Sequence, residues 1–231
     1  MKRRSFLIGA GAAGITAMTA GMASQGHGAG TLPAAIRNTN PSTALVLWYS
    51  QTGHTARIGK LLAKTLAGCG IEVTQGRLRD ADLSKAAQYD MILIGSPVQY
   101  MELPGNVVKI LEGLPDLKGA AVASWITFGG KGTNPIITGW NLLEIMAKKG
   151  GAPVGMQTFC NMNTYSPSWS MSDKGKARVL EYRNLPNEKT FEQCRAYGEE
   201  LLGRVKNGQM IEVGSDFDLS ALLVYVHSRW W

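Results

Sequence analysis

No pair among the three cysteines, Cys69, Cys160 and Cys194, stands at a CxxC or Cys/His spacing, so neither a zinc site nor an iron–sulfur cluster is encoded and no metal ligand set is expected. In an oxidising compartment one disulfide of unspecified pairing can form; the alternative is buried, inert thiols. Charged residues are also scarce, at 18% against 45% hydrophobic. That leaves enough apolar content for one sizeable core and points to a single folded domain. The body of the chain has no run of clustered Lys and Arg and no basic residues interleaved with aromatics, which speaks against nucleic acid as a partner. A GxxxxGKS/T phosphate loop is lacking as well. The formal net charge is +7, or +4 once Lys2, Arg3 and Arg4 are taken away with the segment described next.

The chain opens with Lys2-Arg3-Arg4, continues through Ser5-Phe6-Leu7-Ile8, and runs without a charge over 9–23 in a Gly- and Ala-rich, mildly apolar stretch. A basic region, an apolar region and then small residues at Gly21 and Ala23 is the order of parts of an export signal, and glycine at this density disfavours a structural helix. Arg3-Arg4-Ser5-Phe6-Leu7 resembles the twin-arginine export signal, which implies a protein folded, with any cofactor loaded, before it crosses to a periplasmic or other extracytoplasmic compartment. An ordinary secretory signal and an uncleaved anchor are the alternatives. The boundaries expected are an export signal over 1–23, a linker over 24–42, a folded domain over 43–207 and a C-terminal extension over 208–231.

Within the body, strand and helix patterns alternate. The continuous apolar run 44–49 predicts a strand buried on both faces. Ile58, Leu61, Leu62 and Leu66 recur at helical spacing, and Gly68 and Gly70 mark the stop. Further strands are expected over 71–75, 91–94, 120–127 and 154–161. A helix opened by Pro104 is anchored by Val107, Val108 and Leu111; a second carries Ile136, Ile137, Trp140, Leu143 and Met146; the last carries Phe191, Cys194, Tyr197, Leu201 and Val205. This alternation predicts an α/β fold, a doubly wound five-stranded parallel sheet in the order 2-1-3-4-5 with helices on both faces. Ligands of such sheets sit outside the carboxyl ends of the strands, which directs attention to the loops after strands one, three and four.

After strand one, Ser50-Gln51-Thr52-Gly53-His54-Thr55 places hydroxyls and a glycine at a helix N-terminus, where free N–H groups and the helix dipole attract a phosphate. Tyr49 to Thr55 resembles the phosphate loop of the flavodoxin family, whose pattern is aromatic, Ser/Thr, x, Thr-Gly-x-Thr. After strand three, Gly95-Ser96-Pro97-Val98-Gln99-Tyr100 followed by Leu103-Pro104-Gly105 is similar to that family's second loop. The two loops stand on strands expected to be adjacent. After strand four comes Thr127-Phe128-Gly129-Gly130-Lys131, whose glycines permit close backbone approach.

The resemblance implies a flavodoxin-like fold and non-covalently bound FMN. It implies phosphate contacts from Ser50, Gln51, Thr52, Gly53, His54 and Thr55, with Tyr100 against the flavin ring and Ser96, Pro97, Val98 and Gln99 at its edge. Thr127, Phe128, Gly129 and Gly130 would close over the ring, and Lys131 either joins them or is a solvated loop charge. Electron transfer through bound flavin needs no catalytic side chain. His27, His54 and His227 show no carboxylate partner by spacing, so no triad with Ser50 or Ser96 is read. The partner implied is a redox protein or a small acceptor such as a quinone, and direct use of NAD(P)H stays open. A basic balance, His54 and the long stretch 165–187 depart from small acidic electron carriers of the family; the first of these predicts a less negative flavin potential. The rival reading is an exported binding or scaffolding module that has lost FMN, against which the intact Thr52-Gly53-x-Thr55 and Ser96-Pro97 elements argue.

Two segments stay without assignment. The stretch 163–187, with Tyr165, Trp169 and Tyr182, is long for a loop and is expected to hold a short helix around 173–182; it either lids a site or is a solvated excursion. The end, 219–231, is too short to span a bilayer. It either packs as an amphipathic segment or brings Trp230 and Trp231 to a membrane surface or a partner protein.

Overall fold

Five strands, β1 Thr43–Trp48, β2 Glu72–Arg77, β3 Met91–Pro97, β4 Ala121–Phe128 and β5 Ala152–Cys160, pair in parallel in the order β2-β1-β3-β4-β5. The structure is a computed structural model that describes residues 34–100, 102–129, 134–162 and 183–213. The expected sheet and strand order are therefore present, with strand ends displaced by at most three residues. The segments 1–33, 163–182 and 214–231, on which the readings of an export signal, a short helix and a terminal Trp pair rest, lie outside the described residues.

Alternation along the strands divides the core. Ala44, Val46 and Trp48 of β1, Met91 and Leu93 of β3, and Ala121, Ala123 and Trp125 of β4 face helices α1 (His54–Gly68) and α4 (Glu188–Lys206). Leu45, Leu47, Ile92, Ile94, Val122 and Ile126 point the other way, toward α2 (Gly105–Leu111) and α3 (Pro135–Lys148). Strands apolar on both faces are stable only between two helical layers, each buried aliphatic side chain contributing about 1.5–3 kcal/mol. Helix α4 starts at a capping box, in which Asn187 Oδ1 accepts from Thr190 N at 3.2 Å and Asn187 N donates to Thr190 Oγ1 at 3.4 Å.

Two findings differ from the sequence reading. The crossover from β2 to β3 contains no α-helix; two 3₁₀ turns, Leu78–Asp80 and Leu83–Gln88, make it instead. Only Leu78, Leu83 and Ala86 are buried there, too few to form a helical stripe, while Asp82 caps the second turn by accepting from Ser84 N. The stretch before β1, read as linker, is held to the domain over its last residues. Arg37 donates through its guanidinium to the carbonyls of Ala87 and Tyr89 and through its N–H to Gly119. Asp90 accepts from Asn38 Nδ2, from Ser42 N and Oγ, and from Thr43 N and Oγ1. Burial alone would raise the Asp90 carboxyl, but these donors outweigh it and hold it at about 2.

Under the carboxyl edge lies a row of large and absent side chains. Trp48, Gly95 and Trp125 are in register on β1, β3 and β4. Both indoles are buried, and the bare α-carbons of Gly95 and of Gly59 on α1 leave the room they fill. Cβ atoms at positions 59 and 95 would stand 2.5 Å from Trp48 Cε3 and 1.9 Å from Trp125 Cε2.

Candidate cofactor site at the carboxyl edge

The loop from β1 to α1 turns at Gly53, which adopts φ 91°, a left-handed conformation that glycine takes at little cost. Gly53 N donates to Ser50 Oγ at 3.1 Å, closing the turn. No side chain caps α1 and no acid lies in its first turn, so the first-turn N–H groups and the positive helix end are left for an anion. Gln51, Thr52 and Gly53 are exposed at this end, whereas Ser50 and His54 are half-buried. Burial, and then the neighbouring positive charge of Arg57, lower the His54 pKa below the usual imidazole value, so the ring is mostly neutral at pH 7. Arg57 itself lies over the Phe191 ring at 4.4 Å.

Thr55 is buried, at 2% exposure, and its hydroxyl sits 2.7 Å from that of Thr127, itself 3% exposed, at the end of β4. The loop after β3 is anchored to the same residue, because Val98 N donates to Thr127 O at 2.9 Å. Ser96 is buried and donates to Pro97 O, so it faces inward, away from solvent. Gln99 and Glu102 exchange backbone hydrogen bonds at 3.0 Å across a tight turn that carries Tyr100 at φ 49° and 73% exposure. A large aromatic in the left-handed region at the tip of a turn is a strained arrangement of the kind concentrated at ligand sites.

A second tie between the loops was not visible in the sequence. Asn106 Nδ2, on the first turn of α2, donates to Tyr49 OH at 2.7 Å; Gln51 Nε2 donates to the same oxygen at 3.2 Å, and Gln99 Nε2 donates to Gln51 Oε1 at 2.8 Å. No motif spacing signals Asn106 or the role of Tyr49, since their partnership exists only once β1 and β3 are paired.

Phe128 and Gly129 are half-buried at the start of the third loop; Gly130 and Lys131 lie outside the described residues. Phe128 O accepts from Asn161 N at 2.8 Å. Asn161 is 2% exposed and donates its amide to Phe159 O, but among the described residues its Oδ1 has no hydrogen-bond partner. A buried orphan acceptor is costly. This one stands at the carboxyl edge beside loop three. The three loops are thus joined pairwise, one to three through Thr55 and Thr127, one to two through Gln51 and Gln99, and two to three through Val98 and Thr127. Chemically, the assembly offers donors for a phosphate at α1 and an aromatic, amide-lined edge for a planar group. Among the described residues no group of three or more His, Cys, Asp or Glu is placed to hold a metal ion. No disulfide joins the cysteines, of which Cys194 is buried with its thiol pushed up to about 12 by desolvation.

Residues 45–134 match the flavodoxin domain family. No curated protein matches the sequence. Among solved structures, the chain is similar to a flavodoxin of Streptococcus pneumonia TIGR4, with a TM-score of 0.55 and 16% identity over 71% of this chain and 99% of that one. It is also similar to oxidised flavodoxin 1 of Bacillus cereus, with a TM-score of 0.54 and 18% identity over 70% and 98%. A third likeness is to rubredoxin oxygen:oxidoreductase of Desulfovibrio gigas, with a TM-score of 0.50 and 15% identity over 74% of this chain and 38% of that one. The family match covers 45–134, and at these identities the structural likeness shows the flavodoxin-like fold alone.

Proposed function

We propose that the chain binds FMN without a covalent bond and serves as a redox protein, passing electrons to a partner protein or to a small acceptor such as a quinone. The observation that carries this reading is the uncapped N-terminus of α1, joined by hydrogen bonds to the loops after β3 and β4. FMN, when bound, supplies one- and two-electron chemistry. The chain's own residues hold it. Thr52, Gly53 and the first-turn N–H groups of α1 meet the phosphate, and Tyr100 with the backbone of 97–99 lines the ring. Phe128 and Gly129 bound the far side, where Asn161 Oδ1, without a partner among the described residues, offers an acceptor. The site needs no nucleophile or acid–base pair for such a role.

We also read the chain as exported. Arg3-Arg4-Ser5-Phe6-Leu7 supports the twin-arginine route, which carries folded proteins and so suits a domain that must load FMN before crossing. The working place of the protein is then periplasmic or otherwise extracytoplasmic.

The test is an absorbance spectrum of the purified full chain, followed by FMN titration of wild type and of Thr52→Ala. Thr52 is exposed, so the substitution leaves the core intact. Flavin bands in wild type and FMN binding weakened roughly tenfold or more in the variant are expected, the size of one charge-assisted hydrogen bond. A colourless chain that ignores added FMN overturns the redox reading.

A further inference from the structure

The hydroxyls of Thr55 and Thr127 form a buried pair with one more proton than it uses. At 2.7 Å one proton lies between the oxygens, and either atom can be its donor. The second proton has no acceptor recorded among the described residues. Both side chains are nearly sealed from water, so a spare donor here is an unmet demand for an acceptor. The two ends of the pair differ. Thr55 is the second residue of α1, inside the helix end whose N–H groups and dipole favour an anion, whereas Thr127 lies on the interior strand β4 with its carbonyl engaged by Val98 N.

We propose that Thr127 is a positioning residue for the phosphate: its hydroxyl donates to Thr55 Oγ1, which turns the Thr55 proton outward to a phosphate oxygen. This rests on the FMN reading above and refines it, since Thr127 then acts through Thr55 and not on the flavin ring. Donation into the Thr55 oxygen also polarises its O–H and strengthens the outward bond. Because the same residue carries the Val98 contact through its backbone, the side-chain role is separable from the support of loop two.

The experiment compares FMN with riboflavin, which has the same ring and ribityl chain but no phosphate, by fluorescence titration of the full chain. Wild type, Thr127→Val and Thr127→Ser are measured together. Expected is a roughly tenfold or larger loss of FMN affinity in Thr127→Val with riboflavin affinity unchanged, and recovery of FMN affinity in Thr127→Ser, which restores the hydroxyl. Equal losses for both ligands, as a merely structural role would give, overturn the proposal, as do unchanged FMN binding in Thr127→Val or a Thr127→Ser variant no better than Thr127→Val. A wild-type chain that binds neither ligand overturns this proposal and the FMN reading together, whereas wild-type FMN binding with any of the former outcomes overturns this proposal alone.

Discussion

The indole of Trp125 occupies the space that a side chain at Gly95 would need: in register on adjacent strands, the two residues approach so closely that a Cβ at position 95 would meet Trp125 Cε2 at 1.9 Å. Trp125 lies two residues before Thr127 on the same face of β4, so the support of the cofactor loops depends on this fit. Its Nε1 is buried with no partner among the described residues, so packing holds the ring there.

Gly95→Ala should therefore destabilise the fold by about 1–3 kcal/mol or more, the range of overpacked cores. Denaturant unfolding of the full chain measures this, and Gly95→Ala combined with Trp125→Phe should recover part of the loss by removing the crowding ring atoms. An unchanged midpoint in Gly95→Ala would contradict the contact.

Asp90 gives a pH signature. Its folded pKa, about 2, is below the ordinary carboxylate value, so it contributes stability above that ordinary value and loses it as pH falls toward about 2. Asp90→Asn should be less stable than wild type at pH 7 by about 1 kcal/mol once solvent screening of this partly exposed group is allowed for. The two proteins should converge as pH falls to about 2. Urea unfolding at several pH values checks the prediction, and a difference that grows toward acid would refute it.

His54 should titrate below the ordinary imidazole value of 6.5 in the free chain, as read by NMR of its ring protons. Burial is the larger cause and Arg57 the second, so Arg57→Gln should move the pKa upward only part of the way. The sign for stability follows: His54 disfavours the folded state as pH falls through 6.5, and His54→Gln removes that acid-side loss.

The rim predicts the potential of the proposed cofactor. No Asp or Glu occurs from 43 to 71, from 103 to 111 or from 117 to 143, and Glu102 is the one acid of the described parts of the three loops. With so little negative charge nearby, the low potential of bound FMN should be less negative than on an acidic rim. Thr52→Glu should shift it downward, on the order of tens of millivolts. Spectroelectrochemical titration decides this, and a downward shift absent in Thr52→Glu would show that rim charge does not govern the potential.

The strands of this protein were legible because burial on both faces writes itself as continuous apolar runs, as in 44–49 and 91–94, and α1 was legible because Ile58, Leu62 and Leu66 repeat at helical spacing. The turn between β1 and α1 was legible for the same local reason: a strand end, a glycine able to take φ 91° and a helix start lie within seven residues. What the tertiary structure decided is how distant loops meet. Thr55 finds Thr127 across 72 residues, Asn106 finds Tyr49 across 57, and Asp90 gathers residues 38–43 across 47 or more. The crossover of 3₁₀ turns and the Trp48-Gly95-Trp125 row belong there too. Periodicity and turn chemistry act between near neighbours in the chain and so can be read along it. A hydrogen bond or a close packing contact between remote residues exists only after the sheet has set its register, and the single sequence carries no spacing that announces it.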